Sequence, residues 1–240
     1  MKLYCIPYSG GSASVYYKWR KSLNSQITLI PLEMAGRGSR IKESFYETID
    51  DAAQDLSQRI VADLAPGEEY AIFGHSMGAL VAFETYFALM EKINIEPQHI
   101  FFSGRKAPQD EVIKTDFYKL PEEEFMHKVI RYGGNTEEIL GNESLMRLFV
   151  PILRNDFRLA EIYTFTPKER LIGCDYTVLS GTEDYSVQIA ELSLWSVFAT
   201  KNVNYAYLPG SHFFITENVP MTTDLINRTL LPREKRSNDE

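Results

Sequence analysis

The sequence predicts an α/β fold in which helices flank a mostly parallel central sheet. Six short apolar runs have the length and composition of buried strands, and most of the segments between them have helical periodicity. One connection, about seventy residues long, is far longer than a simple crossover between neighbouring strands needs to be. We therefore expect one α/β domain with a helical insertion, which is compatible with a chain of 240 residues.

The predicted strands are distributed along the chain. They lie at residues 2–7, 27–32, 70–74, 99–103, 175–180 and 203–208. Between the second and third strands, residues 50–64 are predicted to form a helix because apolar residues recur every four positions, at Ala52, Leu56, Ile60 and Leu64. The segment after Ser76 is almost wholly apolar through Leu89, which indicates a helix packed against the centre of the sheet.

The long insertion, about residues 110–172, is predicted to be a helical lid over the carboxyl end of the sheet. Helical patterns at residues 121–131 and 144–163 each have an apolar side. These sides consist of Phe125, Val129 and Ile130 in the first helix and of Leu148, Ile152, Leu159 and Ile162 in the second. A separate small domain is the alternative interpretation.

The domain that includes this lid is expected to be a single unit, residues 1–230. Residues 231–240 are predicted to form a disordered tail, because residues 233–240 are charged and lack apolar side chains. We find no internal repeat in the sequence.

The charge balance argues against several kinds of partner. A net charge of −8 gives no overall basic field, so neither nucleic acid nor an anionic membrane surface is an expected partner. Cys5 and Cys174 lie in apolar runs, which is typical of reduced thiols in a cytosolic protein. The amino terminus lacks a signal-peptide pattern, and no apolar run reaches the length of a membrane span. The sequence predicts a cytoplasmic protein, with a monomer as the default state.

The pentapeptide Gly74-His75-Ser76-Met77-Gly78 lies where the third predicted strand gives way to the apolar helix. It matches the G-x-S-x-G pattern of a nucleophile elbow, in which a strained strand-to-helix turn exposes the serine hydroxyl. Glycines two residues before and after the serine let the strand and the helix approach closely. The pentapeptide alone also occurs by chance, so the strand before it and the helix after it are what favour Ser76 as a nucleophile.

A serine nucleophile needs a neighbouring base, and the chain has four histidines. His212 follows the last predicted strand, in a tight loop at the carboxyl end of the sheet where ligand sites of open α/β sheets lie, so we assign it as the general base. His75 adjoins the nucleophile, His99 opens a strand, and His127 falls on the polar side of a lid helix. These three are predicted to be structural or surface residues.

The third member of a serine triad accepts a hydrogen bond from the base and stabilises its positive form. Asp184 is our choice because it follows the fifth predicted strand. Glu183 is a close rival, one residue away in a loop without a pattern, and Asp110, beyond the fourth strand, is a distant one. The chain order Ser76, Asp184, His212 matches the α/β-hydrolase fold.

The oxyanion hole of such a site needs two N–H donors. The backbone amide of Met77, directly after the nucleophile, is expected to supply one. The other is expected from the loop after the first strand, preferably from Ser9, with Tyr8 as the alternative. This loop lacks the lysine of a P-loop and the G-x-G-x-x-G pattern, so nucleotide binding is not favoured. No histidine or cysteine spacing suits a metal, and no metal or other cofactor is expected.

Several segments, the pentapeptide among them, resemble one family, the type II thioesterases, which are stand-alone editing hydrolases that accompany non-ribosomal peptide and polyketide synthases. The matching segments are residues 7–13, 36–38, 74–78, 103–108, 120–134, 151–158 and 210–214. The pentapeptide is common to many hydrolases, whereas residues 103–108 and the lid segments are specific to this family. The chain departs from the family pattern at residues 33–35, where a proline-rich approach is usual, and at Ser211, where a second glycine is common.

The resemblance implies a thioesterase that removes acyl groups from the phosphopantetheine thiol of carrier proteins, through an acyl-enzyme on Ser76. The phosphopantetheine then belongs to the substrate and is not a bound cofactor. The acylated carrier protein is expected to dock near the lid. Basic residues outnumber acidic ones between residues 145 and 170 and are candidates for binding an acidic carrier: Arg147, Arg154, Arg158, Lys168 and Arg170. A solvated helix face is the alternative interpretation.

Rival functions stay open at this point. A general carboxylester or lipase-like hydrolase shares the fold and the triad, because neither sets the substrate. A chain-releasing thioesterase of a fatty acid synthase is a variant of the same chemistry. A non-catalytic carrier-binding protein would keep the fold alone, and the intact set of triad residues argues against it.

Overall fold

The core of the protein is a sheet of parallel strands. A computed structural model describes residues 1–110, 115–131, 142–187 and 189–231. The strands are β1 Lys2–Ile6, β2 Thr28–Pro31, β3 Tyr70–His75, β4 His99–Ser103, β5 Tyr176–Gly181 and β6 Val203–Leu208. They form one six-stranded sheet in the order β2-β1-β3-β4-β5-β6. The predicted α/β class and the six predicted strands are confirmed, and each strand bound agrees to within one residue.

The register of the sheet brings several strand ends together. Each pairing between the six strands is parallel. Ile6 pairs with Gly74, and His75 pairs with Ser103, so β1, β3 and β4 end side by side. The segments that follow these strands therefore meet at the carboxyl edge, where ligand sites of open α/β sheets lie.

Helices cover both faces of the sheet. The α-helices are α1 Ile49–Asp63, α2 Met77–Lys92, α3 Glu122–Arg131, α4 Glu143–Ile162, α5 Phe214–Glu217 and α6 Val219–Leu230. Segments of 3₁₀ helix lie at Ala13–Lys21, Gly38–Arg40, Phe117–Lys119 and Ile189–Phe198. The helices predicted at residues 50–64 and after Ser76 correspond to α1 and α2. At the start of α1, Thr48 and Asp51 each bind the other's amide through a side chain, and this capping box satisfies two amides.

Side chains of each strand alternate between two apolar cores, because successive strand residues point to opposite faces. In β1, Tyr4 and Ile6 belong to the core that contains α1 and α2. Leu3 and Cys5 belong to the core on the other face, which contains α6 and the 3₁₀ segment Ala13–Lys21. The inner strands β1, β3, β4 and β5 are therefore buried on both sides, as expected of a parallel sheet, whereas the edge strand β6 is largely exposed.

Hydrogen bonds join helices α5 and α6 to the first 3₁₀ segment and to the residues that follow it. The indole N–H of Trp19 donates to the carbonyl of Ile215 at 3.1 Å. The side chain of Asn227 donates to the carbonyl of Ser22 at 3.0 Å and accepts from the amide of Asn24 at 2.9 Å. Trp19 is fully buried as a result.

The insertion contains the two predicted lid helices, α3 and α4, which share a small apolar core. Its buried residues are Phe117, Phe125, Met126, Val129, Val150 and Leu153. The predicted apolar side of α4 is partly wrong, because Leu148 and Ile162 are 45% and 36% exposed while Asp156 is buried. A prediction based on apolar periodicity places carboxylates on the exposed side of a helix, so it cannot identify Asp156 as part of the buried side of α4. Residues 111–114 and 132–141 of the predicted lid and residues 232–240 of the predicted tail lie outside the described residues.

Candidate active site

Ser76 lies on a strained turn between β3 and α2. Its φ of 55° and ψ of −119° are unusual for a residue with a side chain. The amide of Ser76 donates to the carbonyl of Ser103 at 2.7 Å, which ties the turn to the end of β4. The two glycines of the pentapeptide are required by space: a Cβ at Gly74 would lie 2.1 Å from the Gly78 carbonyl oxygen, and one at Gly78 would lie 2.3 Å from that of Ile6. The turn has the geometry of a nucleophile elbow.

The structure brings Ser76, His212 and Asp184 together in one line of hydrogen bonds. Nδ1 of His212 lies 2.7 Å from Oδ2 of Asp184, and Nε2 of His212 lies 3.0 Å from Oγ of Ser76. The Nδ1–H therefore donates to the carboxylate, and Nε2 accepts from the serine hydroxyl. Burial alone would raise the pKa of Asp184, but the hydrogen bonds from His212 and Ser186 outweigh burial and lower that pKa. The carboxylate is ionised at neutral pH.

Ser186 supports this carboxylate, a role that the sequence did not reveal. Its amide and its hydroxyl both donate to Oδ1 of Asp184, at 2.9 Å and 2.6 Å. Its Oγ also lies 3.2 Å from Nδ1 of His212. The spacing Asp-x-Ser, typical of a turn in which an aspartate binds the amide two residues on, is the signal that points to it.

The rival carboxylates lie elsewhere. The side chain of Glu183 is exposed, and only its amide contributes to this region, by donating to the Gly210 carbonyl at 2.9 Å. Asp110 is half-buried and lies 3.7 Å from the ammonium group of Lys106. Of the three acidic residues considered, Asp184 is the one that contacts His212.

His75 is fully buried and holds the backbone of His212. Its Nε2 lies 2.9 Å from the His212 carbonyl oxygen and its Nδ1 lies 2.8 Å from Oγ of Ser103. Because the carbonyl can only accept, Nε2 carries the proton and Nδ1 accepts from the serine hydroxyl. Burial lowers the pKa of His75 well below its ordinary value, so the ring is neutral. The middle residue of Gly-His-Ser therefore has a defined structural contact beside the site.

The other two histidines, His99 and His127, have hydrogen-bond or ion-pair partners outside the set of Ser76, Asp184 and His212. His99 begins β4, is buried, and has Nε2 at 2.8 Å from the Thr177 hydroxyl. Burial lowers its pKa to about 4. His127 is 73% exposed, and its Nε2 lies 3.9 Å from Glu123.

The loop after β1 is the segment from which the second donor of the oxyanion hole is expected. The Gly11 amide donates to the Tyr8 carbonyl at 2.8 Å and closes a turn in which Gly10 has a φ of 78°. The Gly10 amide is already used, since it donates to Oδ2 of Asp156 at 2.7 Å. Among the described residues, the amides of Tyr8 and Ser9 have no hydrogen-bond acceptor, so both remain available. Met77 is the first residue of α2, and the first amides of a helix lack partners within it.

A buried ion pair lies behind this loop. The guanidinium of Arg37 donates two hydrogen bonds to the carboxylate of Asp156, both at 2.6 Å, and a third to the Gly11 carbonyl at 3.1 Å. The side chains of Arg37 and Asp156 are 2% and 0% exposed. Neither was predicted as part of the site, because the two residues are far apart in the sequence.

Aromatic side chains surround His212. The rings of Tyr8 and Phe213 meet edge to face at 5.0 Å, and Phe213 lies 5.3 Å from the His212 ring. Tyr8 also contacts the His75 ring at 5.8 Å. These residues give the site an apolar wall suited to hydrocarbon groups.

The basic residues of the lid are engaged within the protein. Arg154 donates to the carbonyls of Tyr118 and Leu120. Arg158 donates to the Tyr46 carbonyl at 3.0 Å. The other three form ion pairs: Arg147 with Glu143, Lys168 with Glu84 and Arg170 with Glu96. These contacts favour the structural interpretation of the basic residues over carrier binding.

Neither a metal-binding cluster nor a membrane-spanning helix is present in the described residue ranges. They contain no group of three or more His, Cys, Asp or Glu residues that could hold a metal ion. They also contain no helix long and apolar enough to cross a membrane.

Comparison with known proteins gives a family match over nearly the whole chain. Residues 1–230 match the family model described as a thioesterase domain. The chain is 32% identical over 231 residues to the Brevibacillus parabrevis protein named linear gramicidin dehydrogenase LgrE, and the match covers 95% of this chain and 87% of that protein. It is 30% identical over 217 residues to the medium-chain S-acyl fatty acid synthase thioesterase of Rattus norvegicus, with 89% of this chain and 81% of the rat protein covered.

A solved structure shows the same fold. The crystal structure of ClbQ from the colibactin NRPS/PKS pathway superposes with a TM-score of 0.91 and 39% sequence identity. The match covers 95% of this chain and 96% of ClbQ.

Proposed function

The chain belongs to the thioesterase family, and on that basis we propose that it hydrolyses acyl thioesters on the phosphopantetheine arm of carrier proteins. The biological role of this hydrolysis is editing, which is the removal of wrong or stalled acyl groups from non-ribosomal peptide or polyketide synthases. The observation that carries the chemistry is the alignment of Ser76, His212 and Asp184, with Nε2 of His212 3.0 Å from the serine oxygen. The pathway named for ClbQ supports the choice of synthase.

Acylation begins when Oγ of Ser76 attacks the thioester carbonyl carbon and its proton passes to Nε2 of His212. The ionised Asp184 stabilises the imidazolium that forms, because it accepts the Nδ1–H hydrogen bond. The carbonyl oxygen takes the electron pair of its double bond and becomes an oxyanion facing the amides of Met77 and Ser9. Positive charge and N–H donors thus lie where charge develops.

The carbonyl then re-forms and the bond to sulfur breaks, which leaves an acyl ester on Ser76. A thiol has a pKa of about 8.5, so cleavage of the bond to sulfur depends little on proton donation. The departing sulfur then takes the proton from Nε2 of His212, which returns the imidazole to its neutral form. In deacylation, water attacks the ester while His212 takes its proton. The second tetrahedral intermediate releases the carboxylic acid, and the proton returns to the oxygen of Ser76.

The name of the Brevibacillus relative does not extend to this chain. A nicotinamide-dependent dehydrogenase of the doubly wound type binds its cofactor through a G-x-G-x-x-G turn after the first strand. Here the segment after β1 reads Tyr8-Ser9-Gly10-Gly11-Ser12 and lacks that pattern. The amide of Gly10 in this segment instead donates to Asp156. Hydride transfer is therefore not proposed.

The test compares the wild-type chain with Ser76→Ala on three substrates: an acylated carrier protein, an acyl-pantetheine and a nitrophenyl ester. We expect the carrier to be hydrolysed with the highest kcat/KM, by roughly tenfold or more, because contacts with the carrier add binding energy. Ser76→Ala should lose about 10⁴-fold or more in kcat on all three substrates. Faster cleavage of the nitrophenyl ester would favour a general carboxylester hydrolase, and full activity of Ser76→Ala would refute the mechanism.

Chain release from a fatty acid synthase is the second candidate, favoured by the similarity to the rat medium-chain thioesterase. Carriers loaded with acetyl or with a medium-chain acyl group separate the two functions. Editing predicts that the acetyl carrier is hydrolysed at least as fast as the medium-chain carrier. A strong preference for the medium chain would favour chain release.

A further inference from the structure

Helix α4 of the insertion reaches under the loop that supplies one side of the oxyanion hole. We propose that Asp156 and Arg37 are positioning residues for this hole, so that α4 is a fixed part of the active site and not a mobile part of a lid. The inference rests on the proposed function, in which the loop donates an N–H group to the tetrahedral intermediate. It concerns contacts that the Ser76, His212 and Asp184 triad does not include.

The carboxylate of Asp156 holds the loop directly. Its Oδ2 accepts the amide of Gly10 at 2.7 Å, which fixes the peptide plane that follows Ser9. The guanidinium of Arg37 donates to the Gly11 carbonyl at 3.1 Å, which fixes the next part of the loop. The available amide of Ser9 therefore lies immediately before two anchored peptide groups. Loss of these anchors would let Ser9 turn away from Ser76.

Side-chain packing also joins α4 to the loop after β1, in addition to the hydrogen bonds. Leu153, one turn before Asp156 in α4, lies so close to the loop that a Cβ at Gly10 would be 2.4 Å from its Cδ2 atom. Gly10 also has a φ of 78°, which favours glycine. The loop and α4 therefore have a fitted contact surface, and a displacement of α4 would remove both the packing and the hydrogen bond.

The positive charge of Arg37 is needed to neutralise the buried carboxylate of Asp156. A buried carboxylate near the oxyanion would oppose the negative charge of the intermediate. Arg37 neutralises it through two hydrogen bonds at 2.6 Å, so Asp156 can hold the Gly10 amide as a strong acceptor without leaving a net negative charge behind the loop. Removal of one partner leaves the other charge buried and unpaired, which destabilises the fold.

The variants are chosen to separate positioning from stability. Asp156→Asn keeps the shape and one acceptor but loses the charge and the paired contact with Arg37. The double variant Arg37→Met with Asp156→Leu replaces the whole pair by apolar groups, so no charge is left unpaired. Asp55→Asn is the matched control, because Asp55 pairs with the largely buried Arg40 at 2.7 Å in the neighbouring loop. Within the described residues, neither Arg40 nor Asp55 hydrogen-bonds to residues 8–11.

Steady-state kinetics with an acyl-pantetheine provides the first measurement. Asp156→Asn and the double variant should lose about 10²–10³-fold in kcat, the loss typical of a missing oxyanion donor, with KM changed by less than about threefold. Asp55→Asn should stay within about threefold of wild type in kcat, although urea unfolding should show that this variant also loses stability.

Inhibitor binding provides the second measurement, because a purely structural defect would not distinguish two ligands. An alkyl boronic acid forms a tetrahedral adduct when Oγ of Ser76 donates an electron pair to boron, and a boron-bound oxygen then occupies the oxyanion hole. A thioether analogue of the substrate binds without such an oxygen. The Asp156 variants should bind the boronic acid about 10²-fold more weakly and the thioether unchanged.

Two results would overturn the inference. One is a kcat for Asp156→Asn equal to that of Asp55→Asn. The other is an equal loss of affinity for boronic acid and thioether, which would indicate collapse of the whole pocket. If the wild-type chain hydrolyses no thioester, the proposed function fails, and the boronic acid comparison still decides whether Asp156 positions the oxyanion hole.

Discussion

The carboxylate of Asp184 accepts three hydrogen bonds, one from His212 at 2.7 Å and two from Ser186. Its own amide donates to the Gly181 carbonyl at 3.2 Å, which fixes the turn after β5. The neighbouring residue, Glu183, points its side chain into solvent. A single step along the chain therefore separates a residue that holds the imidazole of His212 from one whose side chain does not touch it.

Replacement of Asp184 and Glu183 by the corresponding amides tests the different roles of these two neighbouring residues. Asp184→Asn should lower kcat by about 10³–10⁴-fold, because an amide can donate to His212 and favour the wrong tautomer. Glu183→Gln should change kcat by less than about twofold, since its side chain is exposed. Steady-state hydrolysis of an acyl-pantetheine measures both variants. Equal losses, or a larger loss for Glu183→Gln, would contradict the assignment of Asp184.

At this scale, local patterns exist for two of the predicted site residues. Ser76 lies in a pentapeptide and His212 follows a strand, so each has a recognisable setting. The choice between Glu183 and Asp184 depended on one turn, and sequence left it open. The pair of Arg37 and Asp156 joins positions 119 residues apart, and no local pattern reports such a contact.

Among the elements, the elbow depends on a close crossing of β1, β3 and α2. A Cβ at Gly78 would lie 2.3 Å from the carbonyl oxygen of Ile6 and 2.5 Å from that of Pro7. Both are backbone atoms at the end of a central strand, so they cannot move aside easily. The second glycine of the pentapeptide is thus a requirement of packing between strand and helix.

Substitution by alanine measures this requirement. Gly78→Ala should lower the free energy of unfolding by about 3 kcal/mol, because the backbone must shift. Gly67→Ala is the control, since no atom lies within 4 Å of its added Cβ and only its φ of 76° is unfavourable. That control should cost about 1 kcal/mol. Urea unfolding followed by circular dichroism gives both values, and equal losses would contradict the packing argument.

The elements themselves were largely predictable from periodicity. The strands and the helices α1, α2, α3 and α4 each have a clear apolar pattern, and their observed bounds lie close to the predicted ones. The buried face of α4 was the exception. Its position depends on the contact of Asp156 with Arg37, an interaction that an apolar pattern does not represent.

For the molecule as a whole, buried neutral histidines make stability depend on pH. Burial lowers the pKa of His99 to about 4 in the folded protein, whereas an exposed histidine has a pKa of about 6.5. Between these values the unfolded chain binds a proton that the folded protein excludes, so acid favours unfolding. Burial acts on His75 in the same direction.

Unfolding free energies measured between pH 7 and pH 4 test this linkage. The His99 contribution should lower stability by roughly 3 kcal/mol as the pH falls from about 6.5 to about 4. His99→Gln, whose amide can still bond Thr177, should flatten the pH dependence by that amount. His127→Gln, at an exposed position, serves as the control. An unchanged slope in His99→Gln would contradict the buried neutral state of His99.

At the same scale, sequence predicted the class of fold but not its arrangement. Alternating strands and helices indicate a parallel sheet, yet the order β2-β1-β3-β4-β5-β6 results from packing between distant segments. The position of α4 beneath the loop after β1 also results from such packing. Both features depend on contacts across the chain, which local patterns do not contain.

The cover that α5 and α6 provide for Trp19 has a consequence for biosynthesis. A ribosome adds about 5–20 residues per second, so Trp19 is made on the order of 10–40 s before Ile215, whose carbonyl its indole binds. Throughout that interval the apolar face around Trp19 is open to water and to chaperones. His212 is made in the same late stretch as Ile215, so a nascent chain can complete the hydrogen-bonded set of Ser76, Asp184 and His212 only as this face closes.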